Sequence, residues 1–125
     1  MTRQRTTPER RDADQRGREG EAEAAMFLAQ AGWRIVAERV KTKAGEIDLI
    51  AHRPGLVAFV EVKWRKRAPS LADAIDERRL ARVAAAVECV WQDYAGDGED
   101  VRIDVILLAP GHKPTHIENA WMPMG

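Results

Sequence analysis

The sequence predicts a single α/β domain, and three observations lead there. The chain has 125 residues, enough for one core. Its apolar residues change period along the chain, from helical spacing to strand alternation and back. Turn residues such as Gly32, Gly45 and the Arg53-Pro54-Gly55 run fall between those segments. With 45% hydrophobic and 32% charged residues, the chain is globular rather than disordered.

Residues 1–15 are polar, with Pro8 and no hydrophobic face. They read as a disordered tail ahead of one domain over 16–125. The tail arginines, Arg3, Arg5, Arg10 and Arg11, either touch a polyanion or are simply solvated. Residues 17–31 are alanine-rich and stop at Gly32, a helix terminator. Ala22, Ala25, Met26 and Ala29 follow helical spacing and Leu28 extends the stripe, while Glu21 lies along its edge. A first strand is expected from Trp33 to Val40, a second over EIDLIA (46–51) and a third over LVAFVEVK (56–63). The stripe Leu80, Val83, Ala84, Val87, Trp91 and Tyr94 predicts a second helix. VRIDVILLA (101–109) is a fourth strand and HIENAW a short fifth. The resulting order is α-β-β-β-α-β-β.

Several classes are excluded or disfavoured. Net charge is zero, so bulk charge does not coat nucleic acid, and binding would need a local basic patch. The one cysteine, Cys89, rules out an internal disulfide and a cysteine-based zinc cluster, and it fits a reducing compartment. No apolar run approaches the ~20 residues a bilayer requires. The N-terminal residues lack the apolar segment of a secretory signal. A cytoplasmic protein with no membrane partner is expected. There is no Gly-rich phosphate loop, hence no nucleotide cofactor, and no Gly-x-Ser-x-Gly elbow.

The chemistry concentrates in GEIDLIAHRPGLVAFVEVKWRKR, residues 45–67. Strand alternation puts Val57, Phe59, Glu61 and Lys63 on one face of the third strand. That strand is apolar on both faces before Glu61, so it is expected to be central and covered twice. Alternation puts Asp48 with Glu46 and Ile50, and a hairpin of suitable register sets Asp48 opposite Glu61 or Phe59. Two carboxylates ~5 Å apart repel by about 3 kcal/mol at an effective dielectric of ~20. Either Lys63 or a divalent cation offsets this. Mg²⁺ takes hard oxygen ligands, here Asp48, Glu61 and the carbonyl of Val62 between them. Such a site suits phosphodiester hydrolysis, with Lys63 stabilising charge on phosphorus or orienting water. Glu21 is a further ligand or base. Without a cation, Glu61 and Lys63 would be a surface ion pair.

Asp48 followed by Glu61-Val62-Lys63 resembles the PD-(D/E)xK nuclease core, an α-β-β-β-α-β arrangement. Over Gly17 to Trp121 the chain resembles more closely the YraN-like family of uncharacterised bacterial proteins, considered related to Holliday-junction resolvases. GEIDLIA and LVAFVEVKWR carry most of the likeness; Gly17-Arg18 with Glu21, Arg102-Ile103-Asp104-Val105 and HIENAW add to it. The resemblance implies a restriction-endonuclease/resolvase-like fold, with a mixed central sheet flanked by helices. It implies Glu21, Asp48, Glu61 and Lys63 as active-site positions, Mg²⁺ or Mn²⁺ as cofactor and structured or branched DNA as substrate. The chain departs from the family pattern at Glu38-Arg39-Val40 (commonly Arg-Asn-Trp), Arg79 (commonly Lys) and Trp64 (commonly Thr).

Trp64, Arg65, Lys66 and Arg67 follow the site directly and form, with Arg79, a candidate nucleic-acid surface: cations for phosphates and an indole for stacking. Otherwise they are a solvated loop with Trp64 tucked in. Asp104 is expected to pair with Arg102 or His116. A non-catalytic module that binds nucleic acid or protein on the same fold is the alternative function. A homodimer through the hairpin or through Trp121, Met122 and Met124 is a further expectation.

Overall fold

The computed structural model describes the backbone of residues 8–66 and 76–121, with side chains from residue 17 onward. Helix α1 spans Pro8–Gln30, followed by strands β1 (Arg34–Thr42), β2 (Gly45–Arg53) and β3 (Leu56–Trp64). Helix α2 spans Glu77–Tyr94, and β4 (Asp100–Leu108) and β5 (Thr115–Ile117) complete the order. The α-β-β-β-α-β-β reading is therefore met. α1 begins at Pro8, inside the stretch read as tail; proline suits a first helical position because its missing N–H has no partner there. Residues 1–7, Arg67, Met122 and Met124 lie outside the described residues, so the readings placed on them do too.

The five strands form one sheet in the order β1-β2-β3-β4-β5. β3 and β4 run parallel, with α2 as the crossover between them, and the remaining pairs are antiparallel. β3 is central, as its doubly apolar pattern implied: Val57, Ala58, Phe59 and Val60 are all fully buried. Phe59, Ile50 and Val57 pack beneath Leu80, Val83 and Val87 of α2. Ala58, Val60 and Leu49 pack on the other side beneath Ala24 and Leu28 of α1.

The buried face of α1 differs from the expected stripe. Met26 is 63% exposed, and Ala22 and Ala29 are exposed too; Gly20, Glu21, Ala24 and Leu28 face the sheet. Alanines line every side of this helix and give its periodicity little direction, so Leu28 decides the orientation. Gly20 allows the close approach: a Cβ there would lie 3.3 Å from Leu108 Cδ1. α1 ends at Gln30 and Gly32 (φ 96°) turns the chain out of it: the Gly32 and Trp33 amides donate to the Ala29 and Leu28 carbonyls, and Trp33 packs into the same core half as Leu28.

Strict alternation fails twice: the β1–β2 register shifts between Ile35 and Ala37, and a second break lies at Arg39 and Asp48. Ile47 and Ile50, three apart, both pack on the α2 side, as do Ala37 and Val40 opposite them. Between them lie Asp48 of β2 and Arg39 of β1. Arg39 has φ 51°, a left-handed conformation uncommon outside glycine. This paired kink turns both strands over, which separates Asp48 from the face of Ile50 and puts Ile47 there instead.

Candidate active site

The β2–β3 ladder ends at Leu49–Val60. Beyond it, β2 continues along β1 to Gly45, and β3 continues along β4 to Trp64. The sheet forks there, and the candidate residues sit in and around the fork. The Val62 amide, which would otherwise lose its partner, donates to Asp48 Oδ2 at 2.8 Å. A strand residue turns its N–H and C=O to the same side, so the Val62 carbonyl also faces the fork. Extending the ladder register puts Asp48 opposite Glu61.

Glu61 is 1% exposed and its carboxylate is paired with the Arg79 guanidinium. Arg79 reaches it from the first turn of α2, whose N-cap Asp76 accepts the Arg79 amide at 3.1 Å. Burial, the adjacent Glu61 charge and a hydrogen bond shared with Glu61 push the Asp48 carboxyl from 3.8 up to about 7, although the Val62 amide and Arg79 act against the rise. The two acids therefore meet, and their mutual repulsion is answered in part by a proton.

A second group of acids adjoins the first. One carboxylate oxygen from each of Glu21, Glu46 and Asp48 lies within 4.8 Å of the others. Burial raises the Glu21 pKa; the Arg39 hydrogen bond opposes this and Asp48 reinforces it. Arg39 Nε donates to Glu21 Oε2 at 2.9 Å, and a terminal guanidinium nitrogen lies 2.8 Å from the same oxygen. The donor set is wholly hard oxygen, which fits a hard divalent cation and not a soft one. This cluster of three acids can hold a metal ion.

Lys63 is 6% exposed, on the Glu61 face. Burial lowers its pKa, while Asp76 works to raise it. A cleft of about 260 Å³ is lined by Glu46, Asp48, Glu61, Arg79 and Arg82. Another, about 270 Å³, is lined by Glu61, Val62, Lys63, Arg65 and Asp76. Glu61 and Arg79 belong to both and form the wall between them.

Of the residues picked from sequence, Asp48, Glu61, Val62 and Lys63 gather at the fork, and Glu21 reaches it from α1. Arg79 is there as the partner of Glu61. Trp64 is half-buried against Glu19, Gly20 and Glu23 of α1. The Arg65 amide donates to the Leu108 carbonyl at 2.8 Å, and Lys66 is exposed. Two site residues escaped the sequence reading. Glu46 was legible, two residues from Asp48 and on its face. Arg39 was not, because nothing in IVAERVKT announces a left-handed residue inside a strand.

Asp104 belongs to a separate network. It is fully buried, receives two hydrogen bonds from Arg102 at 2.8 and 2.9 Å, contacts His116 Nε2 at 2.7 Å and accepts the Asn119 amide at 2.9 Å. Burial alone would raise its pKa; the bonds to His116, Arg102 and Asn119 outweigh that and hold it below the ordinary value. This network ties β5 and the 118–119 turn to β4.

Residues 20–108 match the model of the uncharacterised protein family UPF0102. The chain belongs to this family. The match covers α1 from Gly20 through β4, and with it every residue of the fork. A UPF0102 protein of Erythrobacter litoralis is 63% identical over 114 residues, 91% of this chain and 98% of that one. A UPF0102 protein of Sphingopyxis alaskensis is 50% identical over 89% of this chain and 96% of its own. One from Rhizorhabdus wittichii is 54% identical over 87% and 92%. The YraN-like resemblance is thereby established as family membership. No helix among the described residues is long and apolar enough to cross a membrane.

Proposed function

We propose that the protein is a metal-dependent endonuclease that hydrolyses phosphodiester bonds in structured or branched DNA, with Mg²⁺ or Mn²⁺ as cofactor. The main support is the convergence at one strand fork of Glu21, Glu46 and Asp48, with Glu61 lining the same cleft as Asp48 and Lys63 on the next position of the Glu61 face. Asp48 would hold the cation with Glu21 and Glu46, or with Glu61 and the Val62 carbonyl. When bound, the cation polarises a phosphoryl oxygen and acidifies water.

The protein's own groups do the rest. Lys63 is buried and its ammonium is poorly solvated, so it gains by facing the negative charge that builds on phosphorus. Alternatively it orients the attacking water. Arg79 pairs with the Glu61 carboxylate and fixes it in place, and Asp48, with its raised pKa, is the carboxyl that exchanges a proton for a cation. Arg65 and Lys66, with Arg82 at the mouth of the cleft, hold flanking phosphates. Trp64 is half-buried, which leaves part of the indole for stacking.

The test is cleavage of duplex, single-stranded and four-way-junction DNA with Mg²⁺ or Mn²⁺. Glu61→Gln and Lys63→Met should each lower the rate by about 10²-fold or more. Cleavage that survives both substitutions refutes these roles. One observation favours the alternative, a binding module: Arg39 and Arg79 already supply positive charge to the acids. DNA binding with neither cation binding nor cleavage would establish that reading.

A further inference from the structure

Arg39 interrupts its strand. The β1–β2 register runs Glu38–Leu49 and then Val40–Ile47, so Arg39 falls opposite Asp48, and neither appears in the ladder. Its φ of 51° is one that an arginine holds only where its surroundings over-determine it. Its charged partner is Glu21, whose Oε2 accepts a hydrogen bond from Nε and lies 2.8 Å from a second guanidinium nitrogen. Glu21, Glu46 and Asp48 all act on the Arg39 charge. The guanidinium thus does for these three acids what a cation would do. It is nonetheless 42% exposed, on the edge strand of the sheet, so it can leave without disturbing the core. Both of these guanidinium nitrogens lie against one oxygen of Glu21, Oε2.

We infer that Arg39 is a built-in counter-ion that competes with the divalent cation for Glu21 and is drawn off by a phosphate of the DNA substrate. Cation and DNA then load together: the free protein holds the cation weakly, and the nucleic acid frees Glu21 to bind it. This rests on the proposed cation-binding role of the three acids. Two features make the exchange favourable. The guanidinium is the side chain best matched to a phosphate, which accepts two parallel N–H bonds, whereas Glu21 Oε2 accepts one, from Nε, with a second nitrogen close by. A phosphate arriving at a cleft lined by Arg79 and Arg82 also adds negative charge beside the acids, which strengthens their demand for a divalent ion.

The experiment is a calorimetric titration of Mn²⁺ into the wild-type chain, Arg39→Asn, Arg39→Lys and Arg39→Asn/Glu21→Gln, with and without a short DNA duplex. Asparagine tolerates the left-handed backbone, so Arg39→Asn removes the charge without straining the strand. Without DNA, Arg39→Asn should bind Mn²⁺ about tenfold more tightly than wild type, and Arg39→Lys should stay near wild type. The expected size reflects one charge, part-screened by solvent, a few ångströms from the ion. DNA should tighten Mn²⁺ binding in wild type and much less in Arg39→Asn, and adding Glu21→Gln should abolish the gain. Equal or weaker Mn²⁺ binding by Arg39→Asn overturns the inference while leaving the cation site standing. Mn²⁺ binding by none of the four proteins overturns both.

Discussion

Replacing Asp48 with asparagine should make the protein more stable at alkaline pH, by an amount that vanishes in acid. The carboxyl sits at about 7 in the folded chain against 3.8 when unperturbed, chiefly because burial and the Glu61 charge oppose its ionisation. At about 1.36 kcal/mol per pKa unit, the ionised form is disfavoured by at most about 4 kcal/mol in the folded state. A carboxyl whose pKa is raised on folding contributes stability in full below its unfolded value. That contribution is lost as the pH rises through the folded value, here from about pH 4 to about pH 7. Asparagine keeps an oxygen to accept the Val62 amide, and its NH₂ can donate to Glu61. Urea unfolding in EDTA should therefore show Asp48→Asn more stable than wild type by about 2–4 kcal/mol at pH 8, with the two converging at pH 4. Mg²⁺ at pH 8 should narrow the gap by stabilising wild type alone. An asparagine variant that is less stable at pH 8, or a difference that does not change with pH, would refute the electrostatic account of the fork.

Two further outcomes concern parts of the fold that serve the site from a distance. Asp104→Asn strips the charge from a carboxylate that Arg102 and His116 both engage, and should cost about 3 kcal/mol in urea unfolding at pH 7 with Mn²⁺ affinity unchanged. That stabilisation should also fade in the wild type as the pH falls below the ordinary carboxylate range, since its pKa is held down in the folded state. Gly20→Ala should be nearly neutral, because its helix propensity gain of up to about 1 kcal/mol offsets a tight contact with the end of Leu108. Gly20→Val should cost about 1–3 kcal/mol and weaken Mn²⁺ binding by shifting the neighbouring Glu21.

Much of this was legible in the residues, for identifiable reasons. The third strand announced itself because five consecutive positions before Glu61, Leu56 to Val60, are apolar, as a strand covered on both faces requires. The second helix was equally clear, because Leu80, Val83 and Val87 are large and evenly spaced. The first helix was recognised but turned wrongly, since alanine scarcely distinguishes inside from outside. At the site, alternation and hairpin register narrowed the partner of Asp48 to Glu61 or Phe59. The details came from what alternation cannot contain: the paired kink at Arg39 and Asp48, and the fork beyond Leu49. These decide that Glu21 and Glu46 join Asp48, and they depend on a backbone angle that no side-chain pattern encodes.

The division of the core into two halves has a consequence for when the protein can act. Glu21 arrives on a helix seated on one half, whereas Arg79, which orients Glu61, arrives on a helix seated on the other. No contiguous piece of the chain shorter than Glu21 to Arg79 carries all of these groups, and even that piece lacks β4, which flanks β3 along its whole length. Cutting power, on the function proposed here, would emerge only at the last step of assembly.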